Sequence, residues 1–227
     1  MIAKLVSGRA LGCALLSTSL AAAQDRPATG SLTPNVNAVE LDVGTGYAQG
    51  FGKVADGVPS LTDTGGAGAG FDVGVGYRLL PRLALGLFST TAFLARGDNV
   101  DHSASVHTST AGGEATLHLM PSRAIDPWIS LGTGWRGYWV NANAGTTTMH
   151  GWELARLRVG AELRFSQYVS VSPVIGADLT LFLIDQTPGV SQSSIVGPNV
   201  TPFVFAGVVG RFDFPLRSPD AVDVAAR

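Results

Sequence analysis

From Val39 onward the chain alternates apolar and polar residues with a period of two. The first run is Val39-Glu40-Leu41-Asp42-Val43-Gly44-Thr45-Gly46-Tyr47, apolar or aromatic at odd positions and acidic or glycine at most even ones. A period of two belongs to extended backbone, where successive side chains point to opposite faces. Each such run therefore predicts a strand with two unlike faces. Seven more follow, at 71–79, 83–95, 110–119, 128–140, 154–165, 169–183 and 203–214. The third is apolar on both faces, so its phase is poorly fixed. The segments between runs alternate in length. Residues 80–82, 121–126 and 166–167 are short, whereas 48–68, 96–109, 141–153 and 184–200 are long. Eight strands joined alternately by short turns and long loops predict an all-β, closed, antiparallel, up-and-down barrel.

Charge decides what surrounds that barrel. The charged residues within the runs are Glu40, Asp42, Asp72, Arg78, Glu114, Arg136, Arg156, Arg158, Glu162, Arg164, Asp178, Arg211 and Asp213. Every one lies opposite the apolar face of its own strand. A soluble barrel turns its apolar face inward, and a membrane barrel turns it outward. Glycine favours the second arrangement. Gly44, Gly46, Gly74, Gly76, Gly132, Gly134, Gly160 and Gly176 share the charged face. Small residues suit a narrow lumen and have no purpose on a wet exterior. The expected fold is thus a transmembrane eight-stranded barrel. Its seven enclosed acids and six arginines nearly balance, as enclosed charges must. They are read as a salt-bridge network that plugs the lumen. The acids lie mostly on the first two strands and the arginines mostly on the fifth and sixth, so partners are expected to meet across the barrel. Outward aromatics predict two belts at the water–lipid boundaries. Tyr47, Phe93, Trp135 and Trp139 lie near the loop ends, and Tyr77, Phe165, Phe212 and Phe214 near the turn ends.

Composition agrees. The chain is 45% hydrophobic and 14% charged, against about 25% charged in ordinary soluble domains. That is too apolar for disorder. A net charge of −2 without basic clusters argues against nucleic-acid binding. No stretch after residue 24 holds the ~18 consecutive apolar residues of a membrane helix. The N-terminus reads as a secretory signal peptide: Lys4 and Arg9 are basic, Ala10 to Leu20 apolar, and Ala21-Ala22-Ala23 a small-residue cleavage site. Residues 1–23 would be removed, and with them Cys13, the single cysteine. A lipoprotein reading of Leu11-Gly12-Cys13 would leave a very short apolar stretch. Residues 24–35 form a flexible lead-in, 36–214 the barrel and 215–227 a polar tail.

These residues resemble the small outer-membrane β-barrels of Gram-negative bacteria, the OmpA-like and OmpX-like class. The resemblance covers about residues 36–214. Its most specific part is the last strand, Phe203-Val204-Phe205-Ala206-Gly207-Val208-Val209-Gly210-Arg211-Phe212-Asp213-Phe214, which is similar to the terminal-strand signal read by the barrel-assembly machinery. Phe212 and Phe214 would carry that signal. Trp128-Ile129-Ser130-Leu131-Gly132-Thr133-Gly134-Trp135-Arg136 is also typical of these barrels. One departure is the tail from Pro215 onward, since the family usually ends at the aromatic. The resemblance implies a monomer in the bacterial outer membrane, in contact with its lipid and lipopolysaccharide, with both termini periplasmic.

No strong chemical constellation is present. His107-Thr108-Ser109 is similar to the His-x-Ser of lipid A deacylases, which also needs an orienting acid. Asp98 and Asp101 are near in sequence, but the surrounding motif is absent. His102, His107 and His150 fall in expected outer loops without metal-ligand spacing, and His118 faces the expected lumen. Gly65-Gly66-Ala67-Gly68 reads as loop flexibility, because no helix follows to make a phosphate cradle. No catalytic residue, metal or cofactor is expected. The leading reading is a structural or surface-interaction barrel. The alternatives are a channel for small solutes or small hydrophobic molecules, a lipid A-modifying enzyme, and a secreted lipocalin-like binder.

Overall fold

The computed structural model describes residues 34–216. The expected signal peptide, most of the expected lead-in and the tail from residue 217 lie outside the described residues. The strands are β1 (Ala38–Gly50), β2 (Gly65–Leu80), β3 (Leu83–Arg96), β4 (Ser105–His118), β5 (Ile125–Ala142), β6 (Gly145–Arg164), β7 (Val169–Gln186), the two-residue β8 (Ser193–Ser194) and β9 (Val200–Pro215). One short helix, α1 (Leu61–Thr64), precedes β2. β1 to β7 pair antiparallel in sequence order; β7 then pairs β9, and β9 pairs β1. The result is a closed eight-stranded barrel made of β1–β7 and β9. Closure pairs every wall strand on both sides and removes the exposed edges that an open sheet would offer.

The barrel is apolar outside and polar inside. Leu87 is 71% exposed, Ile175 66% and Leu131 61%, whereas Arg78, His118, Glu153 and Glu162 are fully buried. Exposed apolar surface on this scale marks contact with an apolar phase or a partner. The ambiguous third strand takes its phase from its neighbours. Thr90 lies opposite both Asp72 and Thr110, which turns Phe88, Thr90, Ala92 and Leu94 inward and Leu85, Leu87 and Phe93 outward.

Three expectations need correction. Residues 141–153 are not a long loop. β5 and β6 run on, 18 and 20 residues long, to a two-residue turn at 143–144, with Gly145 at φ +125° following it. This Gly leaves the turn in a conformation that a side chain would resist. Gly65-Gly66-Ala67-Gly68 is not loop but the irregular start of β2, with a register shift between Gly65 and Gly68. The other strands also run further at the loop end than the alternation shows. About 9–11 tilted residues cross a bilayer, so these walls stand above it on that side.

The three remaining loops close the outer mouth. Val54 and Leu61 join Ala92, Leu94, Val106, Tyr138, Val140, Phe182 and Phe203 in one buried apolar cluster. α1 starts at a capping box in which Ser60 and Asp63 exchange side-chain bonds with each other's backbone. Backbone bonds then stitch the loops together: Asn99 N–H to the Asp63 carbonyl (2.9 Å) and Asn199 N–H to the Val54 carbonyl (2.7 Å). Below the mouth the lumen is mainly charged and polar, with a smaller buried apolar cluster of Trp128, Val174 and Phe205.

Candidate functional site: the charged lumen

All thirteen charged residues expected on the enclosed face project into the lumen, and each takes part in an ion pair. Asp126 and Glu153 join them, both fully buried. Alternation could not find either. Asp126 sits in what reads as a turn. Glu153 falls in the segment that reads as a long loop, and its parity would mislead as well, because β6 carries a bulge: Gly132 pairs Arg156 while Gly134 pairs Glu153. The extra residue flips the phase, so Glu153 above it and Arg156 below it both face inward.

At the turn end, Arg78 pairs with Glu40, and His118 Nδ1 lies 2.8 Å from Asp126 Oδ2. Arg78 Nη2 (3.3 Å) and Arg211 Nη1 (3.1 Å) both reach His118 Nε2. Guanidinium groups only donate, so Nε2 accepts and the imidazole proton sits on Nδ1, toward Asp126. Arg211 also forks onto Asp42 (2.8 and 3.0 Å) and reaches Glu162 (2.9 Å). Arg164 joins Glu162 and Asp213. In the middle, Arg156 meets Asp72 at 2.5 Å and the Thr90 hydroxyl at 2.7 Å, with Glu114 at 3.5 Å. Toward the loops, Arg158 and Arg136 share Asp178, and Arg136 also holds Glu153. Arg156 on β6 reaches Asp72 on β2 straight across the lumen; of the other twelve ion pairs, six join adjacent strands, five skip one strand and one lies within β6. The expectation of acids meeting arginines across the barrel holds only in part, since Asp126, Glu153 and Asp178 supply local acids on β5 to β7.

Inward aromatics organise the arginines, and glycines seat the aromatics. Arg156 lies over Phe88 (3.9 Å to the ring centre), Arg136 over Phe203 (4.0 Å), Arg158 over Phe205 (5.2 Å) and Arg211 over Trp128 (5.9 Å). Such stacking favours a flat guanidinium. Beneath each ring lies a residue without a side chain. A Cβ at Gly160 would come 2.5 Å from Trp128, at Gly50 2.6 Å from Phe203, at Gly112 2.9 Å from Phe88 and at Gly70 3.2 Å from Phe205. The glycine excess of the sequence thus has a specific use. Gly160→Val is expected to displace Trp128, break its indole bond to Ser172 (3.1 Å) and cost about 1–3 kcal/mol. Urea titration with tryptophan emission measures it.

His118, Asp126 and Glu162 place ligand atoms within 4.8 Å of one another, close enough to suggest a metal. Their atoms are already used, however. Asp126 accepts from His118 and the Met120 N–H, and Glu162 from Arg211. A cation there would sit against two guanidinium groups. The cavities among these side chains measure about 10, 20 and 30 Å³. A water needs roughly 10–15 Å³, so they admit waters and little more.

Outside the lumen, His107 and Ser109 share the outer face of β4 but turn to opposite neighbours. The Ser109 hydroxyl lies 3.1 Å from that of Thr91 on β3, while the His107 ring stacks on Trp139 of β5 at 4.9 Å. They form no nucleophile–base pair. Asp98, Asp101 and His102 lie in the 97–104 loop, and His150 lies on the wall of β6 rather than in a loop. Phe212 and Phe214 face outward near the turn end of β9, 39% and 54% exposed.

No protein-family model matches this chain, and no curated protein matches it in sequence. Solved structures match its fold. Neisserial surface protein A superposes with a TM-score of 0.50 at 14% identity, over 78% of this chain and 96% of its own. The outer membrane protein OprG from Pseudomonas aeruginosa gives 0.50 at 11% identity, over 81% and 99%. The outer membrane protein AlkL, determined in lipid bilayers, gives 0.50 at 13% identity, over 86% and 98%. The likeness is one of architecture: this chain has the fold of small eight-stranded outer-membrane barrels.

Proposed function

We propose that the chain is a monomeric integral protein of the bacterial outer membrane, without catalytic activity, whose lumen serves as an internal brace and whose loops meet the surroundings. The observation that carries this reading is the filled lumen. Fifteen acids and arginines pair along it, thirteen buried and Asp42 and Glu114 half-buried, the cavities between them hold waters at most, and an apolar cluster caps the mouth. A rigid wall positions loops well, and loops on a rigid scaffold are where contacts are usually made. Both termini would face the periplasm. The barrel-assembly machinery would read Phe212 and Phe214 on β9, and outer-membrane lipid and lipopolysaccharide would surround the apolar wall.

Planar-bilayer recording tests the brace against the channel reading. The expected result is no steady conductance. Regular single channels whose size changes on Arg156→Ala or Arg158→Ala would overturn it. Mass spectrometry of lipid A from expressing cells is expected to show no change in acylation. Partition into the membrane fraction with heat-modifiable gel mobility separates the membrane barrel from a soluble, lipocalin-like one.

A further inference from the structure

Two of the four histidines lie on the outer wall, and both touch the same tryptophan. His107 on β4 stacks on Trp139 at 4.9 Å and 11°, while His150 on β6 meets it edge-on at 5.7 Å and 85°. His107, Trp139 and Phe93 are direct cross-strand partners. Phe71 packs on Phe93 at 6.3 Å, so the row continues along the loop-side aromatic band. In a bilayer that band lies at headgroup level, where lipid phosphates are. The Asn141 amide reaches His107 Nδ1 and Ser105 Oγ, each at 3.4 Å; an amide nitrogen only donates, so His107 Nδ1 accepts and its N–H sits on Nε2. At this level the outward residues of β4, β5 and β6 include no carboxylate: they are Ser105, His107 and Ser109, then Trp135, Gly137, Trp139 and Asn141, then Thr148, His150 and Trp152. Arg96 ends the neighbouring β3, further out and exposed. The patch is therefore a pair of imidazole N–H donors around a flat ring, with no carboxylate among the outward residues of its own three strands.

We infer that this His107–Trp139–His150 cluster binds the phosphate monoester of an anionic lipid headgroup. The inference rests on the membrane reading above. The imidazoles donate to phosphate oxygens, as charge-assisted bonds favour. The indole holds both rings in place and covers the first acyl carbons.

The test uses the full chain folded into phosphatidylcholine vesicles. A tenth of the lipid is replaced by acyl-brominated phosphatidylcholine or by acyl-brominated phosphatidate, and tryptophan quenching is compared. The expected result is several-fold stronger association of phosphatidate, abolished by joint His107→Gln and His150→Gln substitution. Trp139→Phe should remove the excess quenching, leaving that of the other tryptophans equal for the two lipids. Equal quenching by both lipids in the unsubstituted protein, or an excess that survives the double substitution, would overturn the site. Heat-modifiable mobility confirms that each variant is folded. Displacement of the excess by millimolar inorganic phosphate would overturn the lipid as the source. Failure of either brominated lipid to quench would overturn the membrane reading instead, so the two failures are distinguishable.

Discussion

Replacing Arg211 by Ala is expected to destabilise the barrel by about 3–5 kcal/mol, the usual consequence of removing one partner from a buried ion pair. Arg211 is the most shared cation of the lumen. It forks onto Asp42, reaches Glu162 and His118 Nε2, and lies over the ring of Trp128. Its loss leaves three carboxylates, Glu40, Asp42 and Glu162, with fewer partners in an enclosed space, where charge without compensation is costly. It also frees the imidazole acceptor that fixes the tautomer toward Asp126. Reversible urea unfolding in lipid vesicles is the measurement. Arg211→Lys keeps the charge but loses the fork and the flat stacking surface, so it should recover only part of the stability. A loss below about 1 kcal/mol for the alanine variant would place these charges in the class of solvated surface pairs and would mean that the lumen is wet.

How much of this was legible beforehand follows from what alternation can encode. Thirteen charges could be assigned to one face because a regular strand makes parity and side equivalent. That equivalence fails at the β6 bulge, and Glu153 beyond it falls in a segment that reads as loop. It is silent in turns, and Asp126 is lost there too. It also cannot rank two apolar faces, so Phe88 on β3 gave no sign that it points inward, whereas Phe203 and Phe205 share the parity of Arg211 and Asp213 on β9. The orientation of Phe88 comes from neighbours: a glycine on the adjoining strand leaves room for its ring, and Arg156 covers it. The glycines were visible as a group, but which ring each seats was not, because the matching depends on strand register, and for Gly50–Phe203 and Gly70–Phe205 it joins the first strands to the last. The β5–β6 hairpin was hidden for another reason. Its Thr146-Thr147-Thr148 stretch and Asn141 are polar on both faces once the walls rise above the apolar zone, and strands without an apolar face read as loop.

The two lumen zones share one wall design but meet different demands. Below, carboxylates hold every guanidinium, and four of the six also lie over a ring. Above, the rings continue without the arginines, and the loops fold in to cover them. Arg136 marks the change, with Glu153 and Asp178 beneath it and Phe203 against its flat face. Phe203 therefore belongs to both zones, and its truncation should be felt in both.

Phe203→Ala is expected to cost about 3–5 kcal/mol, the range for a buried aromatic that leaves a cavity. The ring is 4% exposed, meets Phe182 at 6.3 Å and supports Arg136. Glycine at position 50 leaves nothing on that side to refill the space. Phe214→Ala, on the same strand at the opposite parity, is the informative contrast. Its ring is 54% exposed on the outer wall. If lipid surrounds it, unfolding moves the ring from lipid to water, and lipid fills the gap after truncation. The transfer cost then applies without the cavity cost, about 1–2 kcal/mol for a half-covered ring. In a water-facing barrel the same substitution would be close to neutral. Urea midpoints of the two variants in vesicles thus separate the lumen from the lipid face. A Phe203→Ala loss no larger than that of Phe214→Ala would show that the outer mouth is not packed as a core. A neutral Phe214→Ala would remove the support for an apolar phase around the wall.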